Sequence, residues 1–163
     1  MSSIQIIVGS MLGGTEYVAE ACEETLNELD HHVDIHLKPD LKSIISNTFS
    51  SEKEQKNNSN CTDNPIWIVC TSTHGAGDYP DNIQQFVSDL SYCEQDLSTV
   101  SFLTIGIGDS NYDTYCKAAK DITKLLISKG CTEITPLKTF DMSEDIDPEE
   151  LAQQWISTNK DLL

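Results

Sequence analysis

Apolar positions along the chain change their spacing several times, and each change marks an element. Ile4–Val8 is an apolar run with one polar break, ending at Gly9-Ser10; such a run closed by a turn signal reads as a buried strand. From Thr15 the repeat lengthens. Val18, Cys22, Leu26 and Leu29 recur every three or four residues, with Glu16, Glu20, Glu23 and Glu24 mostly on other faces, the pattern of an amphipathic helix. Val33–Leu37 alternates and is β-branched, a second strand. Ile66–Cys70 is nearly all apolar, as a strand covered on both faces must be. Pro80 opens a helix carried by Ile83, Phe86, Val87 and Leu90. Phe102–Ile107 predicts the next strand and Cys116–Lys129 the next helix, with Ala119, Ile122, Leu125 and Leu126 inward and Gly130 as its stop. Ile134–Thr139 is a weaker strand. Asp147-Pro148-Glu149-Glu150 supplies a cap, a proline at the first helical position and an acid at the third; Leu151, Trp155 and Leu162 follow.

Strand and helix in alternation imply parallel strands joined by right-handed crossovers, hence an open α/β sheet of five strands with helices on both faces. Four helices are clear. The second crossover helix is missing from the pattern: Leu41–Ile45 is long enough for one short turn, and Ser46–Asn64 is Ser, Asn, Glu, Gln and Lys with almost nothing to bury. That stretch predicts a mobile surface insertion at 46–64. The length of 163 residues suits one domain spanning 1–163.

Charge narrows the function. The chain carries 27 acids against 10 bases, all ten lysine, for a net −17. Phosphate backbones and anionic lipid surfaces would repel it, which removes nucleic acid and membrane as partners and favours a basic protein. No apolar run approaches the ~20 residues of a membrane span, and no basic-then-apolar leader opens the sequence; a cytoplasmic monomer is expected. The six cysteines show no CxxC and no histidine at ligand spacing, so they read as reduced thiols with no metal among them.

Three segments leave the carboxyl ends of strands, where open α/β sheets bind ligands. Gly9-Ser10-Met11-Leu12-Gly13-Gly14-Thr15 runs from a strand into a helix N-terminus with backbone N–H groups and two hydroxyls. These are the ingredients of a phosphate cradle, although read alone the segment equally fits an ordinary strand-to-helix turn. It has no Walker lysine and no GxGxxG spacing. Thr71–Asn82 sets small and hydroxylated residues around His74, and Gly106–Cys116 sets an Asp/Asn turn before Tyr112. Two flat side chains beside a crevice can sandwich an aromatic ring system.

On the stretches Gly9–Glu20 (GSMLGGTEYVAE), Thr71–Asn82 (TSTHGAGDYPDN) and Gly106–Cys116 (GIGDSNYDTYC), the sequence resembles the flavodoxin family, and within it the short MioC-type members. The likeness covers essentially the whole chain outside Ser46–Asn64. It implies the flavodoxin-like sheet of order 2-1-3-4-5, non-covalent FMN and electron carriage. On that likeness Ser10, Met11, Leu12, Gly13, Gly14 and Thr15 would wrap the FMN phosphate. Ser72, Thr73, His74 and Gly75 would lie along one side of the ring. Ile107, Gly108, Asp109, Ser110, Asn111, Tyr112, Asp113, Thr114, Tyr115 and Cys116 would hold the other, with Tyr112 stacking and Asp141 near its border. The resemblance further implies a basic NADPH-dependent flavodoxin reductase as donor, a biosynthetic enzyme such as biotin synthase as acceptor, and no catalytic side chain of the protein's own. Two departures stand out. The family's phosphate loop usually carries Thr or Ser where Leu12 sits and often Asn where Gly14 sits, and each loss removes a donor worth about 1 kcal/mol or more; looser FMN binding is expected.

Rival classes weigh against this reading. A phospho-receiver needs acids after strand one and an Asp ending strand three, but Gly9-Ser10 and Cys70-Thr71 stand there. An FMN enzyme with its own substrate would want a lid or a nicotinamide-binding module, and the sequence resembles neither. A flavin-free interaction protein of the same fold stays open through Leu12 and Gly14.

Overall fold

The computed structural model describes residues 2–55 and 64–163. Along the chain run β1 (Ser3–Gly9), α1 (Gly14–Glu28), β2 (His32–His36), α2 (Leu41–Gln55), β3 (Ile66–Ser72) and α3 (Asp81–Ser91). Then come β4 (Ser101–Gly108), α4 (Lys117–Ser128), β5 (Thr132–Glu133), β6 (Lys138–Asp141) and α5 (Pro148–Thr158), with a closing 3₁₀ turn at Lys160–Leu162. The strands are parallel in the order β2-β1-β3-β4-β5, with β6 also on β4. This is the flavodoxin-like arrangement.

Alternation along the central strands builds two cores. Ile4, Ile6 and Val8 of β1, with Ile68 and Cys70 of β3, face Val18, Cys22 and Leu26 of α1 and Ala152 and Ile156 of α5. Ile7, Trp67, Val69 and Phe102 face Ile44, Phe86, Leu90, Ile122 and Leu126 on α2, α3 and α4. Central strands covered on both faces require the near-continuous apolar runs that the sequence displays. The Asp147 cap also forms, its carboxylate accepting the Glu150 N–H at 3.1 Å. The five described cysteines are free thiols, and Cys61 lies outside the described residues.

Two sequence expectations are corrected. Ser46–Gln55 is helix, the continuation of α2, and not the start of a loop; residues 56–63 of the expected insertion lie outside the described residues. Leu41, Ile44 and Thr48 are buried, with Ile45 and Phe49 packed beside them, a helical stripe in which a threonine occupies a core position. Its hydroxyl is fully used: it donates to the Ile44 carbonyl at 2.6 Å and accepts the Trp67 indole N–H at 2.9 Å. The fifth strand, expected as Ile134–Thr139, is instead two pieces. Glu133 pairs with Phe102 and Lys138 with Ile105, so the outer strand spends two more residues than β4 between those pairs. Pro136, which has no N–H to donate, sits in the bulged interval.

Thr48→Val keeps the shape and deletes the hydroxyl. Urea unfolding of the variant is expected to show about 1–3 kcal/mol less stability, the range for a buried donor left without its acceptor; an unchanged midpoint would mean that the indole finds another partner.

Candidate functional site

Every strand-to-helix junction of a parallel sheet opens at the same edge, so the three loops converge there by topology. β1 and β3 end so close together that a Cβ on Gly9 would fall 2.3 Å from the Thr71 hydroxyl, which brings the first loop against the second.

The first loop owes its shape to two side chains. Ser10 Oγ accepts the Gly13 N–H at 3.0 Å, and the turn then passes through Gly13 at φ 86°, a conformation that suits glycine. Asn82, the second residue of α3, does more. Its Oδ1 accepts the Ser10 N–H at 2.9 Å, and its amide donates to Val8 O at 2.7 Å and to Leu37 O at 3.0 Å. One side chain thus joins the ends of β1 and β2 to the start of α3. Among the described residues no acceptor meets the N–H groups of Met11, Leu12, Gly14 and Thr15, the last two in the first turn of α1. Four N–H groups and a helix N-terminus make an anion site without a cation. Thr15 is buried, and Leu12 is 98% exposed and offers no hydroxyl.

In the second loop the His74 N–H donates to Asp78 O at 2.8 Å and the Asp78 N–H returns to His74 O at 2.7 Å, closing a tight turn on exposed His74 and Gly75. Thr73 reaches sideways: its Oγ1 accepts the Ala118 N–H at 3.1 Å and so caps α4, whose own preceding residue, Cys116, supplies no cap. In the third loop the Asp109 carboxylate accepts the Asn111 N–H at 2.9 Å, and its carbonyl accepts the Tyr112 N–H at 3.1 Å. That turn presents Tyr112 with two-thirds of its surface in solvent. Asp141, from the end of β6, accepts the N–H groups of Ser110 and Ser143, both at 3.0 Å, and the Ser143 hydroxyl at 2.7 Å. The bonds from Ser110, then Ser143, hold its carboxyl well below the usual range. Burial pushes the Cys116 thiol up to about 11 and the Tyr79 hydroxyl up to about 12. Both are protonated at neutral pH, and neither is an activated nucleophile.

Two cavities open at this edge. The larger, of about 490 Å³, takes Ser10, Met11, Leu12, Gly14 and Thr15 from the first loop, Ser72, Thr73 and His74 from the second, and Ile107. The smaller, of about 300 Å³, takes Thr73, Gly75, Gly108, Asp109, Tyr112, Thr114, Tyr115 and Cys116. His74 lines the larger cavity and Tyr112 the smaller, and Thr73 lines both. Gly13, Ser110, Asn111 and Asp113 line neither. Sequence reasoning missed Val18, Met142, Pro148 and Glu149 in the larger cavity. The cap at Asp147 was a usable signal for the last two, because a helix starting after the fifth strand must open at this same edge. The residues fit a phosphate-bearing ligand with a flat head: N–H donors at one end, and at the other a slot walled by Tyr112 and Tyr115.

For the FMN that the resemblance implies, Asn82→Ala would weaken binding about tenfold, while riboflavin, which lacks the phosphate, would bind the variant as it binds the native chain. Fluorescence titrations with both flavins check it; an equal loss for the two would assign Asn82 to general stability alone.

The flavodoxin family profile matches residues 6–155. A MioC homologue of Pasteurella multocida is 37% identical over 155 residues, covering 95% of this chain and 94% of its own. The MioC protein of Escherichia coli K12 is 36% identical, covering 100% and 99%. In fold the chain is like a flavodoxin from Pseudomonas aeruginosa, solved as a cysteine-to-alanine mutant, with a TM-score of 0.83 at 24% identity over 99% of this chain and 98% of that one. The chain belongs to the flavodoxin family and, within it, to the MioC type.

Proposed function

We propose that this chain binds FMN non-covalently and carries electrons from a basic NADPH-dependent reductase to a biosynthetic acceptor enzyme in the cytoplasm. The observation that carries the reading is the pairing, on one sheet edge, of four unmatched N–H groups at a helix start with a tyrosine-walled slot. The first would hold the phosphate and the second the ring. Bound FMN supplies the redox chemistry. The protein's own residues do the rest. Met11, Leu12, Gly14 and Thr15 present N–H donors that would hold the phosphate, Tyr112 would stack on the ring, and Asp141 fixes the loop that carries Tyr112. No general base or nucleophile is needed, and the protonated Cys116 and Tyr79 agree with that.

Asp78, Asp109 and Asp113 stand on the second and third loops and Asp81 begins α3, and the hydrogen bonds to Asp141 keep it ionised. Each carboxylate ~10 Å from the ring opposes an added negative charge by about 0.4 kcal/mol in a watery setting and by more where water is excluded. A low reduction potential follows. The same acids favour a basic partner, as complementary charge speeds encounter.

Purified protein given FMN and freed of excess is expected to show the two-band flavin spectrum with quenched fluorescence, and Tyr112→Ala to bind roughly tenfold more weakly. A colourless protein that quenches no added FMN would put a flavin-free interaction protein in place of the carrier. Electron transfer from the reductase should slow as salt rises, since screening acts over ~10 Å at 0.1 M. A rate indifferent to salt would count against docking through this face.

A further inference from the structure

Leu12 is the most exposed large apolar side chain described, at 98%, and it stands in the anion loop where a hydroxyl would add a donor. Its exposure gains nothing for the isolated chain. Met11 at 38% and Met142 at 46% are also exposed and line the mouth of the same cavity. Met11 is held in place, its sulfur accepting the Asp81 N–H at 3.2 Å. Acids stand beside the patch: Asp81 against Met11, Glu149 in the cavity lining, and Glu16 in the first turn of α1. An apolar centre inside a charged rim is the anatomy of a docking surface.

We propose that Leu12, supported by Met11 and Met142, is the apolar anchor by which this chain docks a basic redox partner at the anion end of its site. The proposal rests on the carrier reading for the partner's role. Charge selects the occupant: a second copy carrying the same −17 is repelled, whereas a basic surface is drawn to the acids around the anchor. An exposed leucine then fills an apolar pocket on that surface, a contact that salt does not screen.

The test separates anchor from cofactor ligand by their opposite signs. Leu12→Ser removes the apolar group and adds an O–H donor to the anion loop. A basic NADPH-dependent flavodoxin reductase is titrated calorimetrically into native chain and variant, each with and without FMN, and FMN affinity is measured separately by fluorescence. The expected result is an affinity for the reductase about tenfold lower in the variant, the ratio persisting at high salt, with FMN bound at least as tightly as by the native chain. Tyr92→Ser, at the far end of α3 and thus at the opposite edge of the sheet, should leave the reductase affinity unchanged. Equal reductase affinities for native chain and Leu12→Ser would overturn the proposal. So would a variant that binds FMN more weakly, because Leu12 would then be a cover over the cofactor. A native chain that binds no FMN defeats the carrier reading instead, while the titrations without FMN still decide the anchor.

Discussion

An anion held without arginine or lysine has to be met by dipoles that already point at it, and here that alignment depends on the Asn82 amide. Its three hydrogen bonds reach Ser10, Val8 and Leu37. The Ser10 N–H is thereby engaged within the protein, and it is the hinge from which the loop hangs. Fixing it sets the direction of the next residues, and the Ser10 hydroxyl then ties down Gly13. A loop ordered in advance loses little conformational freedom when its ligand arrives, which is where preorganised binding gains over flexible binding. Lysine could reach for a phosphate from many directions; N–H groups cannot, so rigidity takes the place of charge.

The same arrangement recurs around the sheet edge. Side chains tie the loops to elements outside them: Asn82 of α3 holds the first, Thr73 of the second caps α4, and Asp141 at the end of β6 holds the third. The order of the site is thus borrowed from the sheet. Asp141 reaches Ser110 because β6 resumes pairing with β4 after the Pro136 bulge, at Lys138 against Ile105, and runs in register to Asp141 against Gly108. An unbroken fifth strand in the Glu133–Phe102 register would place Asp141 two positions further along, level with Ser110 instead of Gly108.

The sheet and most helices were legible because burial on both faces forces a pattern that composition cannot disguise. Ile66–Cys70 had no other reading. The α2 helix was not legible beyond Ile45 because its stripe includes Thr48, which counts as polar by residue type yet is buried by virtue of its two bonds. A pairing between Thr48 and Trp67, 19 positions apart, leaves no local trace. Nor does Pro136 reveal how many residues will bulge. The three loops were legible from their glycines, hydroxyls and flat side chains. Asn82 looks like an ordinary loop residue, and the bonds of Asp141 leave no local trace, until the chain brings them to backbone N–H groups 72 and 31 positions away.

A chain at −17 that is proposed to hold a phosphate presents an apparent conflict, and distance resolves it. An N–H at contact range gives a charged acceptor about 1.5–3 kcal/mol. A carboxylate ~10 Å away repels a unit charge by about 0.4 kcal/mol in water, and salt reduces that further. A pair of well-aimed N–H groups therefore outweighs several acids, and the anion site can sit inside an acidic surface. At the Tyr112 end the balance is different. The nearby Asn111 and Ser110 N–H groups are already taken by Asp109 and Asp141, so less is left there to offset the field of the acids. On the proposed reading, one charge distribution would leave the phosphate end to short-range dipoles while its long-range part acts on the ring and on the approaching partner. Phosphate binding and reduction potential would then be set by different parts of the molecule, and a change at one acid need not disturb both.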